Sequence, residues 1–201
     1  FGLALTGSIA LSNAEAVVRV PTGFVDQVIV EGLNQPTSFA FLPDGRVLVT
    51  EQKTGRVRMA VNGHIAATNP VLTVPSLNGV GQERGLLGIA VDPEWPTRPY
   101  VYLYYNRSPD QIRLVRYTAS GDVADPAGEN LTLGTPLLLM DDIVDETVFH
   151  QAGCMRFGPD GMLYASLGDD AFDCEAFDVA SLHGQMLRLQ VNTLPAGGGP
   201  Q

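Results

Sequence analysis

Basic residues are scarce in this chain. Its 201 residues hold 12 lysines and arginines against 22 aspartates and glutamates, a formal net charge of −10. Nucleic-acid binding needs basic patches to meet phosphates, so partners of that class are excluded. Convincing amphipathic helical periodicity is nearly absent, which points away from helical folds. Cysteine is limited to Cys154 and Cys174. No histidine pattern accompanies that pair, which excludes a zinc site. In an oxidising compartment the two cysteines could close a disulfide between a strand and the loop after it, a pairing that the sequence leaves open. The one apolar stretch near the start, Phe1–Ser12, is too short to span a membrane. It runs into Asn13-Ala14-Glu15-Ala16, where Ala14-Glu15-Ala16 fits the A-x-A pattern of a signal-peptidase site. Residues 1–16 are therefore read as a signal-peptide remnant and 17–201 as the mature part of a secreted or periplasmic protein. A buried N-terminal segment is the competing reading of the same residues.

What the chain does have is turns between short apolar strands. Hydrophobic residues make up 45%, with 22 glycines and 14 prolines, a composition that suits a turn-rich β protein with a real core. Phe39–Leu42, Pro43-Asp44-Gly45 and Arg46–Val49 read as strand, turn and strand. Gly88–Asp92 followed by Tyr100–Tyr105 repeats that form around a longer turn, and Cys154–Phe157, Pro159-Asp160-Gly161 and Met162–Leu167 repeat it again. Each copy is followed by a further strand: Arg56–Val61, Ile112–Thr118 and Gln185–Val191. Pro43, Pro93 and Pro159 recur at intervals of 50 and 66 residues, near the period of a propeller blade. The pattern predicts an all-β fold with propeller blades, and a β-sandwich is its rival. Two to three blades are countable, whereas a ring needs about four or more. The residues are accordingly expected to form the N-terminal part of a single propeller domain, and to be inactive by themselves.

The segment from His150 to Asp170 carries the chemistry. In an antiparallel hairpin, the residue before the first strand and the residue after the second lie at the same end. His150 and Asp169 are therefore expected to be neighbours, and a histidine oriented by a carboxylate is the usual form of a general base. Asp170 ranks lower, because adjacent strand residues point to opposite faces. Acidic residues crowd around the hairpin: Asp141, Asp142, Asp145 and Glu146 before it, Asp173, Glu175 and Asp178 after it. They read either as a solvated acidic surface or as an acidic mouth that attracts cations such as calcium. His64 is expected in solvent, and His183 at the surface or behind the site. The Tyr100–Tyr105 run reads as a strand with apolar faces, and Trp95 as packing over a blade edge. Asn106-Arg107-Ser108 and Asn130-Leu131-Thr132 are glycosylation sequons.

Four stretches in order resemble the glucose/sorbosone dehydrogenase family. They are Gly32–Gly45, the distinctive Gly81-Gln82-Glu83-Arg84-Gly85-Leu86-Leu87-Gly88, His150-Gln151-Ala152-Gly153 through Gly168-Asp169, and Ser181–Leu189. The resemblance runs from about Gly23 to Pro195. It implies a six-bladed β-propeller, of which this chain is the N-terminal half, acting as a soluble sugar dehydrogenase that uses pyrroloquinoline quinone (PQQ). It further implies that His150 is the base that takes the proton of the anomeric hydroxyl while hydride leaves C1, and that Asp169 holds it. Gln82 and Glu83 match the place where quinone-using members set a cofactor-contacting glutamine. Alignment on Gly85-Leu86-Leu87-Gly88 puts that contact on Glu83, and a slip of one residue puts it on Gln82. A carboxylate there sits poorly beside an anionic quinone unless a cation such as Arg84 compensates. Calcium ligands and the cations that grip PQQ are expected beyond Gln201. The implied partners are a small sugar and a downstream electron acceptor. The rivals are a non-catalytic carbohydrate- or protein-binding propeller of the same family and a calcium-dependent lactonase-type propeller.

Overall fold

Strands dominate because β-branched and aromatic residues alternate between turn residues. The computed structural model describes residues 20–172 and 174–196. The expected remnant at 1–16 lies outside the described residues. The first sheet holds β1 (Pro36–Phe41), β2 (Val47–Glu51), β3 (Arg56–Val61) and β4 (His64–Ile65), in that order, with β5 (Leu72–Thr73) also on β3. The second runs β6 (Leu86–Val91), β7 (Tyr100–Arg107), β8 (Gln111–Gly121) and β9 (Leu131–Val144). The third holds β10 (Ala152–Phe157), β11 (Leu163–Leu167) and β12 (Met186–Leu189). All neighbouring strands pair antiparallel. Among the described residues the helical content is a single 3₁₀ turn, Glu175–Phe177.

The three sheets stand side by side as blades, and their first strands β1, β6 and β10 adjoin. The middle blade shows why. On β7, Val101, Leu103 and Tyr105 join the core shared with the first sheet, with Leu48, Val57 and Met59. The alternate residues Tyr100, Tyr102 and Tyr104 join the core shared with the third, with Met155, Leu163 and Ala165. A strand with apolar side chains on both faces is stable only between two layers. The tyrosine run is thus a double-faced core strand, as expected of it, and Trp95 is buried in the first of these cores.

The pattern predicts the third strand of the middle blade at Ile112–Thr118, and β8 extends beyond both of those ends. It misses β9, a 14-residue strand. Asp141 and Asp142 lie on that strand, which the acidic side chains had disguised as a loop.

Backbone approach between β6 and β10 is tight. A Cβ at Gly88 would lie 2.1 Å from the carbonyl oxygen of Gly153, whereas one at Gly134 on β9 would meet nothing within 4 Å. Gly88→Ala is therefore expected to destabilise the protein by ~1–3 kcal/mol through overpacking, with Gly134→Ala within ~1 kcal/mol of wild type. Urea unfolding of the two variants checks this, and equal midpoints would show that the sheets separate without cost.

Candidate active site

The β10–β11 hairpin delivers the histidine and the acid to one end. Ala152 pairs with Leu167, so the pairing carried two residues further sets His150 opposite Asp169. His150 Nδ1 lies 2.7 Å from Asp169 Oδ1. An ionised carboxylate only accepts, so Nδ1 carries the proton of this bond and the neutral ring keeps its lone pair on Nε2. The His150 side chain is 60% exposed and that of Asp169 33%. Among the described residues nothing bonds Nε2. The bond from His150, then the Ala171 N–H, holds the Asp169 carboxyl below its ordinary value.

The backbone around His150 is held in an uncommon shape. His150 has φ of +58° and Ala152 of +54°, the left-handed region that non-glycine residues seldom adopt. Gly168 makes room for the turn, since a Cβ there would fall 1.3 Å from the His150 carbonyl oxygen. On the other side, Glu83 Oε2 accepts the His150 N–H at 2.5 Å and the Gln151 N–H at 3.3 Å.

A buried polar network supports the loop from Asp145 to Gln151. Arg84 Nε donates to Asp145 Oδ1 at 2.9 Å, and both residues are buried. Arg84 also donates to the Asp145 carbonyl at 2.5 Å. Asn106, fully buried at the end of β7, donates to Asp145 Oδ2 at 3.0 Å and to the side-chain oxygen of Gln151, and accepts the Gly85 N–H at 2.8 Å. Tyr104 donates to the Gln151 carbonyl at 2.8 Å. Asp170 turns inward where Asp169 turns out. It accepts the Glu146 and Thr147 N–H groups at 2.6 and 3.0 Å, and Gln151 Nε2 at 3.2 Å. Burial pushes the Asp145 carboxyl up against the pull of Arg84 and Asn106, and it pushes the Tyr104 hydroxyl far up.

The structure therefore brings together His150, Asp169 and Glu83. Gln82 is exposed beside them, and its carbonyl accepts Gln52 Nε2 at 2.9 Å. Of the acidic residues around the hairpin, Asp142, Glu146 and Glu175 line one cavity beside His183, whereas three others are turned to partners of their own. Asp141 pairs with Arg113 at 2.5 Å, Asp145 with Arg84, and Asp170 with backbone N–H groups. Among the described residues, no group of three or more His, Cys, Asp or Glu side chains is placed to hold a metal ion.

The structure also bears on the cysteines, the sequons and the remaining histidines. Cys154 and Cys174 are free and exposed, so the disulfide is not formed. The loop bearing Cys174 is tied instead toward β9, through His183. Asn106 is fully buried and cannot carry a glycan in this fold, whereas Asn130 is exposed. His64 is exposed, as expected, and lies 2.9 Å from Glu129. Of the two places the sequence leaves open for His183, the structure rules out the surface. His183 is 7% exposed, bonds Glu175 through Nδ1, and lies 2.9 Å from the Val144 carbonyl through Nε2. Sequence reasoning missed Asn106, Gln151 and Asp145 as supports of the site. The available signal was a polar residue closing a run of buried aromatic ones.

Both ring nitrogens of His183 face acceptors, which only the imidazolium satisfies fully. Burial by itself would lower the His183 pKa, but Glu175 and the Val144 carbonyl outweigh it and raise it above 6.5. His183, followed by Ser181, lowers Glu175 below 4.5. The histidine's contribution to stability is complete below its unfolded value and is lost as pH rises through the raised one. The glutamate's is present above its unfolded value and is lost as pH falls through the lowered one. The stability gap between wild type and His183→Gln is thus expected to be widest between 4.5 and 6.5, and to narrow toward alkaline pH. Urea titrations at a series of pH values test this, and a gap independent of pH would refute the charged clasp.

Comparison with known proteins gives the family and the fold. The family model for glucose/sorbosone dehydrogenase matches residues 33–201. Quinoprotein glucose dehydrogenase B of Acinetobacter calcoaceticus is 28% identical over 188 residues, covering 83% of this chain and 37% of that protein. Human Hedgehog-interacting protein is 30% identical over 189 residues, covering 85% of this chain and 26% of that one. The solved structure of the PQQ-bound aldose sugar dehydrogenase from Streptomyces coelicolor superposes with a TM-score of 0.71 and 33% identity, over 87% of this chain and 50% of that one. The chain thus spans no more than half the length of these relatives. Its three sheets correspond to part of a propeller ring.

Proposed function

The chain belongs to the glucose/sorbosone dehydrogenase family, and from that premise we propose that its protein oxidises an aldose-type sugar at C1 to the lactone, with PQQ as acceptor. The observation that carries this reading is the 2.7 Å bond from His150 Nδ1 to Asp169, which leaves Nε2 without a partner among the described residues on an exposed ring. The residues present fit the proton-transfer side of such a site. Nε2 takes the proton of the anomeric hydroxyl, and Asp169 fixes the tautomer and stabilises the imidazolium that forms. When bound, the quinone supplies the two-electron sink for the hydride. Exposed Gln82 is the residue that would present an amide to it, since the Glu83 carboxylate is taken up by backbone N–H groups. Arg84 is committed to Asp145, and Lys53 to the carbonyls of Gly81 and Arg84. The cations for the cofactor's carboxylates, and the ligands of its calcium, would then come from parts of the ring that the described residues do not form. An extracytoplasmic site of action, with a separate electron acceptor downstream, goes with this reading.

A second reading is favoured by one observation, the relative whose name describes an interaction with Hedgehog. It keeps the propeller as a binding module without turnover.

Dye reduction by the full-length protein with PQQ, calcium and a panel of aldoses separates the two. His150→Ala is expected to lower kcat ~10²–10⁴-fold. Asp169→Asn is expected to approach that loss, because an amide can donate to Nδ1 and so place the proton on Nε2. Absence of both turnover and a spectral shift of added PQQ would leave the binding module standing.

A further inference from the structure

Two consecutive residues, Glu83 and Arg84, reach opposite ends of the loop that carries His150. Arg84 grips the start of the loop, at the Asp145 side chain and carbonyl. Glu83 grips its end, accepting the N–H groups of His150 and Gln151 on one carboxylate oxygen. The segment that carries both is itself fastened to the first sheet. Gln52 Nε2 donates to the carbonyls of Gln82 and Glu83, both at 2.9 Å. Lys53 Nζ donates to those of Gly81 and Arg84 at 2.7 and 2.6 Å. Gly85 admits this approach, since a Cβ there would lie 2.3 Å from the Gln52 carbonyl oxygen. The chain of contacts thus runs from the first blade, through residues 81–84, to the histidine between the second and third.

We infer that Glu83 and Arg84 are a two-point staple for the His150 loop, and that Glu83 is a positioning residue for His150 rather than a contact for the cofactor. Two successive N–H groups converging on one anion fix the direction of a backbone that would otherwise leave the left-handed region. With the His150 carbonyl confined against Gly168 and its N–H held by Glu83, the imidazole has one approach to Asp169. This inference rests on His150 being the base, yet its physical content does not depend on turnover.

The test uses the full-length protein with Glu83→Ala and Glu83→Gln. Glutamine keeps an oxygen acceptor for the two N–H groups and alanine does not. Arg84 is left intact, because its removal would strand Asp145 as a buried charge. With PQQ and sugar, Glu83→Ala should lower kcat by ~10–10²-fold through misplacement of the base. Sugar KM and PQQ affinity should stay unchanged, and Glu83→Gln should restore kcat. By NMR, the His150 and Gln151 amide protons should move upfield in Glu83→Ala and exchange with solvent at least ~10-fold faster, with glutamine again restoring the wild-type pattern. Loss of PQQ affinity with kcat intact at saturating cofactor would make Glu83 a cofactor contact and overturn the inference, as would equal damage by glutamine and alanine. If the wild type shows no turnover, the dehydrogenase reading fails, and the amide signals alone decide the staple. Unchanged amides in Glu83→Ala would refute it.

Discussion

The buried ion pair between Arg84 and Asp145 is the constraint on which the site depends. Neither side chain has appreciable access to water, so neither charge is tolerable without the other. Breaking such a pair from one side typically costs ~3–5 kcal/mol. The pair is worth more as an instruction than as stabilisation. It forces the residues before β6 and those after β9 into one arrangement, and Asn106, Gln151 and Asp170 extend that arrangement along the loop. Partly satisfied networks of this kind are costly, and fully satisfied ones specify a single structure. The exposed His150–Asp169 pair is the outermost layer of this polar core.

This layering explains a division of labour between adjacent acids. Asp169 and Asp170 are neighbours in the chain with opposite fates. The first orients the imidazole in solvent, and the second is buried against the N–H groups of Glu146 and Thr147. Glu83 and Arg84 divide in the same way between the end and the start of the same loop. In each case one residue of the pair meets His150 and its neighbour meets the core.

Much of the architecture was legible in the sequence because it follows from local chemistry. The Pro-Asp-Gly turns and two-residue alternation mark the hairpins, and hairpin geometry alone brings His150 to Asp169 across 19 positions. What was not legible depends on contacts distant in the chain. β9 was hidden because Asp141 and Asp142 look like loop residues until Arg113 on β8 neutralises the first of them. Asn106 looked like a glycan acceptor because a sequon carries no information on burial. The sequence left His183 open between the surface and a place behind the site because its partners, Glu175 and Val144, meet only after the loop folds back on β9. The hold of Glu83 on the His150 loop was not legible because its backbone partners lie 67 and 68 positions away.

The central claim is that Asp169 holds the proton of His150 on Nδ1 and leaves Nε2 open as the base. Long-range proton–nitrogen NMR of the imidazole reads this directly in the full-length protein, at a pH where the ring is neutral. The account predicts the Nδ1–H tautomer, with Nε2 showing the shift of an unprotonated nitrogen. A neutral His150 with its proton on Nε2 would contradict it, since that ring could not accept a proton from the sugar.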